Sequence, residues 1–217
     1  METFVVIGLG RFGSAVAEEL CALGHQVLAI DTDEKAVQQM ADKVTQAVVG
    51  DCQDPETLEM LGVKNMDGAV VAFSNDIGTS VLITLNLKEL GIPRIICKAR
   101  NHSHREVLRR IGADQVVFPE LESGRNLART LANREILNYI ELTEQYGIVK
   151  LKVPARWVGK TLRDLNVRAN YQVNIIAIQS GDEAVQPVPS PDYPFRAEDM
   201  IFTLGDNKSN ERILALE

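Results

Sequence analysis

An apolar run at residues 4–8 leads straight into Gly8-Leu9-Gly10-Arg11-Phe12-Gly13, and few folds accommodate that junction. Gly8 permits a tight turn, Gly10 lets the backbone approach a pyrophosphate, and Gly13 lets a helix pack closely on a strand. Phosphates then sit at a helix N-terminus, against unpaired N–H groups and the positive end of the helix dipole. The glycine spacing alone is a weak signal. Between a strand and a helix it predicts a nucleotide-binding α/β domain.

The rest of the first half repeats that unit. Short, almost wholly apolar runs fall at residues 4–8, 26–31, 46–49, 68–73, 94–99 and 115–118, as expected for parallel strands covered on both faces. Between them, helical periodicity is read at 11–23, 33–42, 54–61, 78–90 and 103–111. Gly24, Gly62, Gly91 and Gly112 each follow one of these helices, where glycine accepts the left-handed C-cap. The alternation predicts an α/β fold, a doubly wound parallel Rossmann sheet over 1–118. After Pro119 the rhythm changes. Leu121, Leu127, Leu131, Ile136 and Leu137 recur at helical spacing, which predicts one linker helix over about 119–140, either a cover for the sheet or a dimer element. A small α+β module is then expected over 141–217, with apolar runs at 148–153, 173–178 and 200–204, a short helix at 161–165 and a stiff proline loop at 187–191. A module of that size is marginal alone and is expected to dimerise.

A formal net charge of -7 argues against a general affinity for nucleic acid. No window has the roughly 18 unbroken apolar residues of a membrane span, and an N-terminus running directly into a strand predicts no signal peptide. Cys21, Cys52 and Cys97 are far apart, with no metal-ligand spacing, and read as reduced buried thiols of a cytoplasmic protein.

Ligands of open α/β sheets bind beyond the carboxyl ends of the strands. Asp31 ends the second strand, where a carboxylate accepts from ribose hydroxyls and disfavours a 2′-phosphate, so NAD is allowed and NADP is not. Asp51-Cys52 and Ser74-Asn75 end the third and fourth strands, where they border an adenosine or simply form loops and caps. Arg11 lies inside the glycine loop, where a guanidinium pairs with phosphate oxygens and sits poorly with the helix dipole otherwise. Lys98 and Arg100 end the fifth strand and are expected to point to the crevice, whereas Arg105, Arg109 and Arg110 read as a solvated helix face.

Catalytic chemistry is harder to place. A dehydrogenase needs an acid/base beside the nicotinamide, yet His25, His102 and His104 all lie in the first half. His102-Ser103-His104 reads as a helix start rather than a metal pair. Tyr146 and Lys150 match a Tyr-x-x-x-Lys spacing, but in a strand they lie roughly 13 Å apart and are rejected as catalytic.

Taken together, Val6-Ile7-Gly8-Leu9-Gly10-Arg11-Phe12-Gly13, Ala29-Ile30-Asp31, Cys97-Lys98-Ala99-Arg100, Ile111-Gly112-Ala113-Asp114, Phe118-Pro119-Glu120 and Leu165-Asn166-Val167-Arg168 resemble the KtrA/TrkA family. These are cytosolic regulatory subunits of bacterial potassium transporters, built of an RCK N-domain and an RCK C-domain. The resemblance covers essentially the full length. It implies a non-enzymatic sensor, peripheral to the inner face of the cell membrane. Its homodimers assemble into an octameric ring beneath a membrane potassium-translocating subunit of the KtrB/TrkH type. By position, Gly8, Gly10, Arg11, Phe12 and Gly13 would hold the phosphates of ATP or ADP, with Arg11 at the terminal ones, and Asp31 the ribose. Asp51, Cys52, Ser74 and Asn75 would border the nucleotide and Lys98 would line the site. Glu120 matches a glutamate that helps place Mg²⁺ near the γ-phosphate. Arg168, Ala169, Asn174, Ile175, Ile176 and Pro191 fall where some members bind cyclic di-AMP at a dimer interface. Asp51 stands where relatives carry Asn, which adds negative charge near the nucleotide. Two other readings remain open, a sensor of NAD or NADH and a small NAD-dependent oxidoreductase.

Overall fold

The computed structural model describes residues 1–73, 76–132, 136–143 and 145–216. The chain divides into two compact units, Met1–Glu120 and Leu121–Glu217.

The first unit alternates β1 (Thr3–Ile7), α1 (Arg11–Ala22), β2 (Gln26–Asp31), α2 (Glu34–Met40), β3 (Gln46–Val49), α3 (Pro55–Met60), β4 (Gly68–Val71), α4 (Ile77–Glu89), β5 (Ile95–Lys98), α5 (His102–Arg110) and β6 (Gln115–Val117). The strands form one parallel six-stranded sheet in the order β3-β2-β1-β4-β5-β6. The order reverses between β1 and β4, so the loops after those strands diverge and open a crevice at their carboxyl ends. Helices cover both faces. One core gathers Val5, Ile7, Leu28, Ile30, Val71, Ile83 and Leu87, and the other Val6, Ala17, Val27, Ala29, Met40 and Val70. Successive residues of β1 thus point to opposite cores, which is why its sequence is continuously apolar.

The helix starts of this unit differ in how they are capped. Asp33, Asp54, Asp76 and Asn101 each cap the next helix by accepting from N–H groups of its first turn. Helix α1 differs: Gly10 is its N-cap, no side chain accepts from the first turn, and no acidic residue lies there.

Helix α6 (Pro119–Ala132) begins in the first unit and continues into the second. The single helix expected over 119–140 is corrected here, because Ile136–Glu141 form strand β7. Pairing decides the matter. β7 runs antiparallel to β8 (Tyr146–Lys152), and Tyr139 is buried with its hydroxyl donating to Asn207, a long-range contact that helical spacing cannot anticipate. The second unit continues through α7 (Leu162–Leu165), α8 (Val167–Tyr171), β9 (Val173–Ser180), β10 (Gln186–Pro187), β11 (Asp199–Asp206) and α9 (Asn207–Leu214). Its five strands are ordered β10-β9-β11-β8-β7 with antiparallel pairing. Their inner residues, Val149, Leu151, Val173, Ile178 and Ile201, pack with Trp157, Phe195 and Ile213. Tyr146 and Lys150 both lie on β8, and the Lys150 Nζ donates to Gln179 Oε1 at 2.7 Å.

Candidate functional site

The glycine loop is held by backbone and by one carboxylate. The N–H of Gly8 donates to the Ile30 carbonyl at 2.8 Å, and that of Leu9 donates to Asp31 Oδ2 at 2.6 Å. Asp31 Oδ1 accepts from the N–H of Asp33 at 2.9 Å. A carboxylate oxygen accepts more than one hydrogen bond, so Asp31 fixes the loop and retains acceptor capacity toward the crevice.

The three glycines are needed for different reasons. Gly8 has φ +96°, a left-handed conformation, and an added Cβ would come within 3.2 Å of the Phe73 ring. A Cβ on Gly13 would lie 1.8 Å from the Gly8 carbonyl oxygen, so the first turn of α1 packs on the loop only without a side chain. Gly10 has the ordinary φ of -68°, and its Cβ would meet nothing within 4 Å. Among the described residues nothing requires glycine at 10, and the backbone there is open to solvent at the start of α1.

Beyond β1–β4 lies a cavity of about 310 Å³ lined by Ile7, Asp31, Thr32, Gly50, Asp51, Cys52, Gln53, Phe73, Asp76, Thr79 and Ile83. Asp31, Asp51 and Cys52 therefore share one pocket, while Ser74 and Asn75 lie outside the described residues. Three carboxylates face this end. Asp76 is held below its ordinary value, first by the Thr79 hydroxyl and then by the N–H groups of Thr79 and Gly78. Cys52 is 2% exposed, and burial, reinforced by Asp51 and Asp31, pushes its thiol up to about 12. It acts as a small apolar wall. Cys97 is likewise pushed up to about 11 by burial, whereas Cys21 is only half-buried.

Beside the start of α1 lies an ion pair. Lys98 closes β5 and is 9% exposed, and its Nζ lies 5.8 Å from the Phe12 ring centroid at the start of α1. It donates to Glu120 Oε1 at 2.5 Å. That hydrogen bond is the main cause holding the Glu120 carboxyl below its usual value, and the nearby Arg11 charge lowers it further. Parallel register brings the pair together, since Lys98 lies opposite Val117 and Glu120 follows three residues later. Arg100 lies beyond the end of β5, exposed, with its N–H donating to His104 Nδ1 at 3.2 Å. His104 is buried, on a helix start capped by Asn101, as the reading of that segment expects. Among the described residues no group of three or more His, Cys, Asp or Glu gathers to hold a metal. Glu120, the expected metal contact, is a single carboxylate already engaged by Lys98.

In the second unit a recess of about 310 Å³ is lined by Leu162, Arg163, Asn166, Val167, Arg168, Val173, Asn174 and Ile175. Asn166 joins α7 to α8 with φ 42°, a left-handed conformation that Asn tolerates, and this turn brings Arg168 beside Asn174. The Arg168 Nε donates to Asn174 Oδ1 at 2.8 Å. Of the six residues expected here, Arg168, Asn174 and Ile175 line the recess, whereas Ala169, Ile176 and Pro191 do not.

Residues 4–119 match the TrkA-N domain and residues 147–216 the TrkA-C domain. The chain belongs to the TrkA-N/TrkA-C family. It is 40% identical to the Ktr system potassium uptake protein A of Bacillus subtilis, over 96% of this chain and 94% of that relative. It is also similar to the crystal structure of the GsuK RCK domain, with 26% identity and a TM-score of 0.58, covering all of this chain and 47% of that one. A GsuK channel structure bound to NAD is similar at 25% identity and a TM-score of 0.58, with 39% of that chain covered. TrkA-N membership and the parallel sheet agree on a Rossmann-like first unit. Its relatives include potassium uptake and potassium channel proteins.

Thr32, Gln53, Phe73, Asp76 and Thr79 line the pocket without having been singled out from sequence. A usable signal existed for Asp76 and Thr79, which follow the fourth strand and therefore fall at the sheet's carboxyl edge. Phe73 gave none, because an aromatic in an apolar run reads as core.

Proposed function

We propose that this chain is a non-enzymatic, nucleotide-sensing regulatory subunit of a potassium uptake system, with ATP or ADP bound at the crevice of the first unit. The observation that carries this reading is Gly10. It is the N-cap of a helix whose first turn no side chain caps, with open space around its Cα among the described residues. A carboxylate-lined pocket lies at the strand ends, and Arg11 and the Lys98–Glu120 ion pair lie beside the start of α1. That polarity fits a molecule with hydroxyl and amino donors at one end and phosphates at the other. Asp31 takes the ribose, Asp51 and Cys52 border the base, Gly8, Gly10, Phe12 and Gly13 form the phosphate cradle, and Arg11 and Lys98 supply positive charge. By sequence position, Ser74, Asn75 and Arg100 are further candidates to contact the nucleotide. A Mg²⁺ ion would arrive on a triphosphate and take Glu120, since the protein groups do not form a metal site by themselves.

The pocket offers little for catalysis. A thiol pushed up to about 12 supplies almost no thiolate at neutral pH, and Asp76 is committed to capping α4. NAD or NADH is the second reading, favoured by the NAD-bound GsuK channel and equally satisfied by Asp31. Among the described residues no helix is long and apolar enough to cross a membrane. We assign the chain to the cytoplasmic face, as dimers assembled into an octameric ring under a KtrB/TrkH-type partner. The recess holding Arg163, Arg168 and Asn174 would take a second anionic ligand of the cyclic di-AMP class.

Calorimetric titration with ATP, ADP and NADH, each with and without Mg²⁺, tests the assignment. Tight adenine-nucleotide binding without turnover is expected. Tight NADH binding with no response to ATP or ADP would replace the ligand, and substrate-dependent NADH oxidation would overturn the non-enzymatic reading.

A further inference from the structure

Beside the start of α1, where the proposed nucleotide would place its phosphates, the protein already holds an anion. Lys98 is nearly buried, with 11% of its side chain exposed, and its ammonium is given to Glu120, whose side chain is 66% exposed. A buried ammonium requires a counter-charge, whereas an exposed carboxylate is readily solvated. The two partners are therefore unequal: Lys98 needs an anion there, and Glu120 has water as its alternative. Arg11 is near enough to influence the same carboxyl, and the Phe12 ring shields one side of the ammonium.

From this asymmetry we propose that Glu120 is an internal phosphate mimic, exchanged on Lys98 for the terminal phosphate of a bound nucleotide. The inference rests on the nucleotide assignment of the same site. A diphosphate seated on the start of α1 leaves the Lys98–Glu120 pair closed. A third phosphate either displaces Glu120 from Lys98 or must bring a cation to tolerate it. The pair would then set the preference between diphosphate and triphosphate, in addition to total affinity. Glu120 also lies in the first turn of α6, the helix whose later residues belong to the second unit. Its release alters what holds the start of that helix.

The experiment is a double-mutant cycle on the full chain, titrating ATP and ADP with divalent cations chelated. Glu120→Gln keeps the shape and removes the competing charge. It should raise the ATP/ADP affinity ratio about tenfold, the scale of one charge-assisted hydrogen bond. In a Lys98→Gln background the same change should leave the ratio where Lys98→Gln alone puts it. If the ratio does not rise, or rises equally without Lys98, exchange on Lys98 is overturned and any effect is diffuse charge repulsion. If the unsubstituted chain binds neither ATP nor ADP, the nucleotide assignment itself fails. Circular dichroism of each variant establishes that it is folded.

Discussion

The two glycines that open α1 make opposite predictions, and together they test whether the loop is a ligand site or only a turn. At Gly10 the backbone is ordinary and a Cβ meets no atom of the described residues within 4 Å. Gly10→Ala loses a somewhat better N-cap but also reduces the entropy of the unfolded chain, so stability should stay within about 1 kcal/mol of the unsubstituted protein. The added methyl group projects where a phosphate would approach the α1 amides. Affinity for the preferred nucleotide should fall at least about tenfold, ~1.4 kcal/mol. At Gly13 a Cβ would stand 1.8 Å from the Gly8 carbonyl oxygen, far inside any contact distance. The loop or α1 must move, with loss of the Leu9–Asp31 hydrogen bond or of packing around Ala17. Gly13→Ala should cost more than about 3 kcal/mol, lowering the melting temperature of the first unit by roughly 10 °C. Thermal unfolding without ligand reads the stability and calorimetry reads the affinity. If Gly10→Ala binds nucleotide as well as the unsubstituted chain, phosphates do not sit at this helix start. If Gly10→Ala unfolds while Gly13→Ala is tolerated, the assignment of space around the loop is wrong.

Other consequences are as direct. Arg11→Ala should weaken ATP more than ADP, and an unchanged ATP/ADP ratio by calorimetry would remove Arg11 from the terminal phosphate. Alkylation at pH 8 should modify half-buried Cys21 in the folded protein, while Cys52 and Cys97, pushed up to about 12 and about 11, react only in denaturant. Mass spectrometry before and after unfolding counts the adducts. Burial holds the His104 pKa below its ordinary 6.5, and its Nδ1 accepts from the Arg100 N–H. The unfolded chain then binds the extra proton, so His104 lowers stability as pH falls below about 6.5. Denaturant titrations from pH 7 to 5 should show a shallower acid loss for His104→Gln, and equal slopes would refute the assignment.

The first unit was legible because its strands are buried on both faces. A continuous apolar run between helical stretches leaves little freedom, and observed ends differ from expected ones by at most two residues, as where β4 stops at Val71 rather than Phe73. That difference matters functionally, since Phe73 leaves the strand to line the pocket. The second unit was less legible. Leu121, Leu127 and Leu131 set a helical rhythm that Leu137 continues by coincidence, and only cross-strand pairing with β8 turns residues 136–141 into a strand. Helix α9 was missed although Asp206 announces it, accepting from the N–H and hydroxyl of Ser209 in an N-cap. Lys98 and Glu120 entered separately as site residues. Their contact is a product of β5–β6 register and invisible to spacing.

A sensor built on this site faces an energetic constraint that bears on its assembly. A ligand shifts a two-state equilibrium only by its difference in affinity for the two states. Moving a population from about 1% to about 99% requires about 5.5 kcal/mol of difference. A third phosphate adds one contact with a charged donor such as Arg11, worth roughly 1.5–3 kcal/mol, and on Lys98 it only replaces Glu120. One subunit therefore cannot switch completely on the exchange of a diphosphate for a triphosphate. Two to four subunits whose conformations change together can, because each adds its own difference to the shared equilibrium. On this reasoning, the chemistry of a single crevice favours the proposed ring over an isolated chain as the unit that responds, and the response to ATP should steepen with the number of coupled copies.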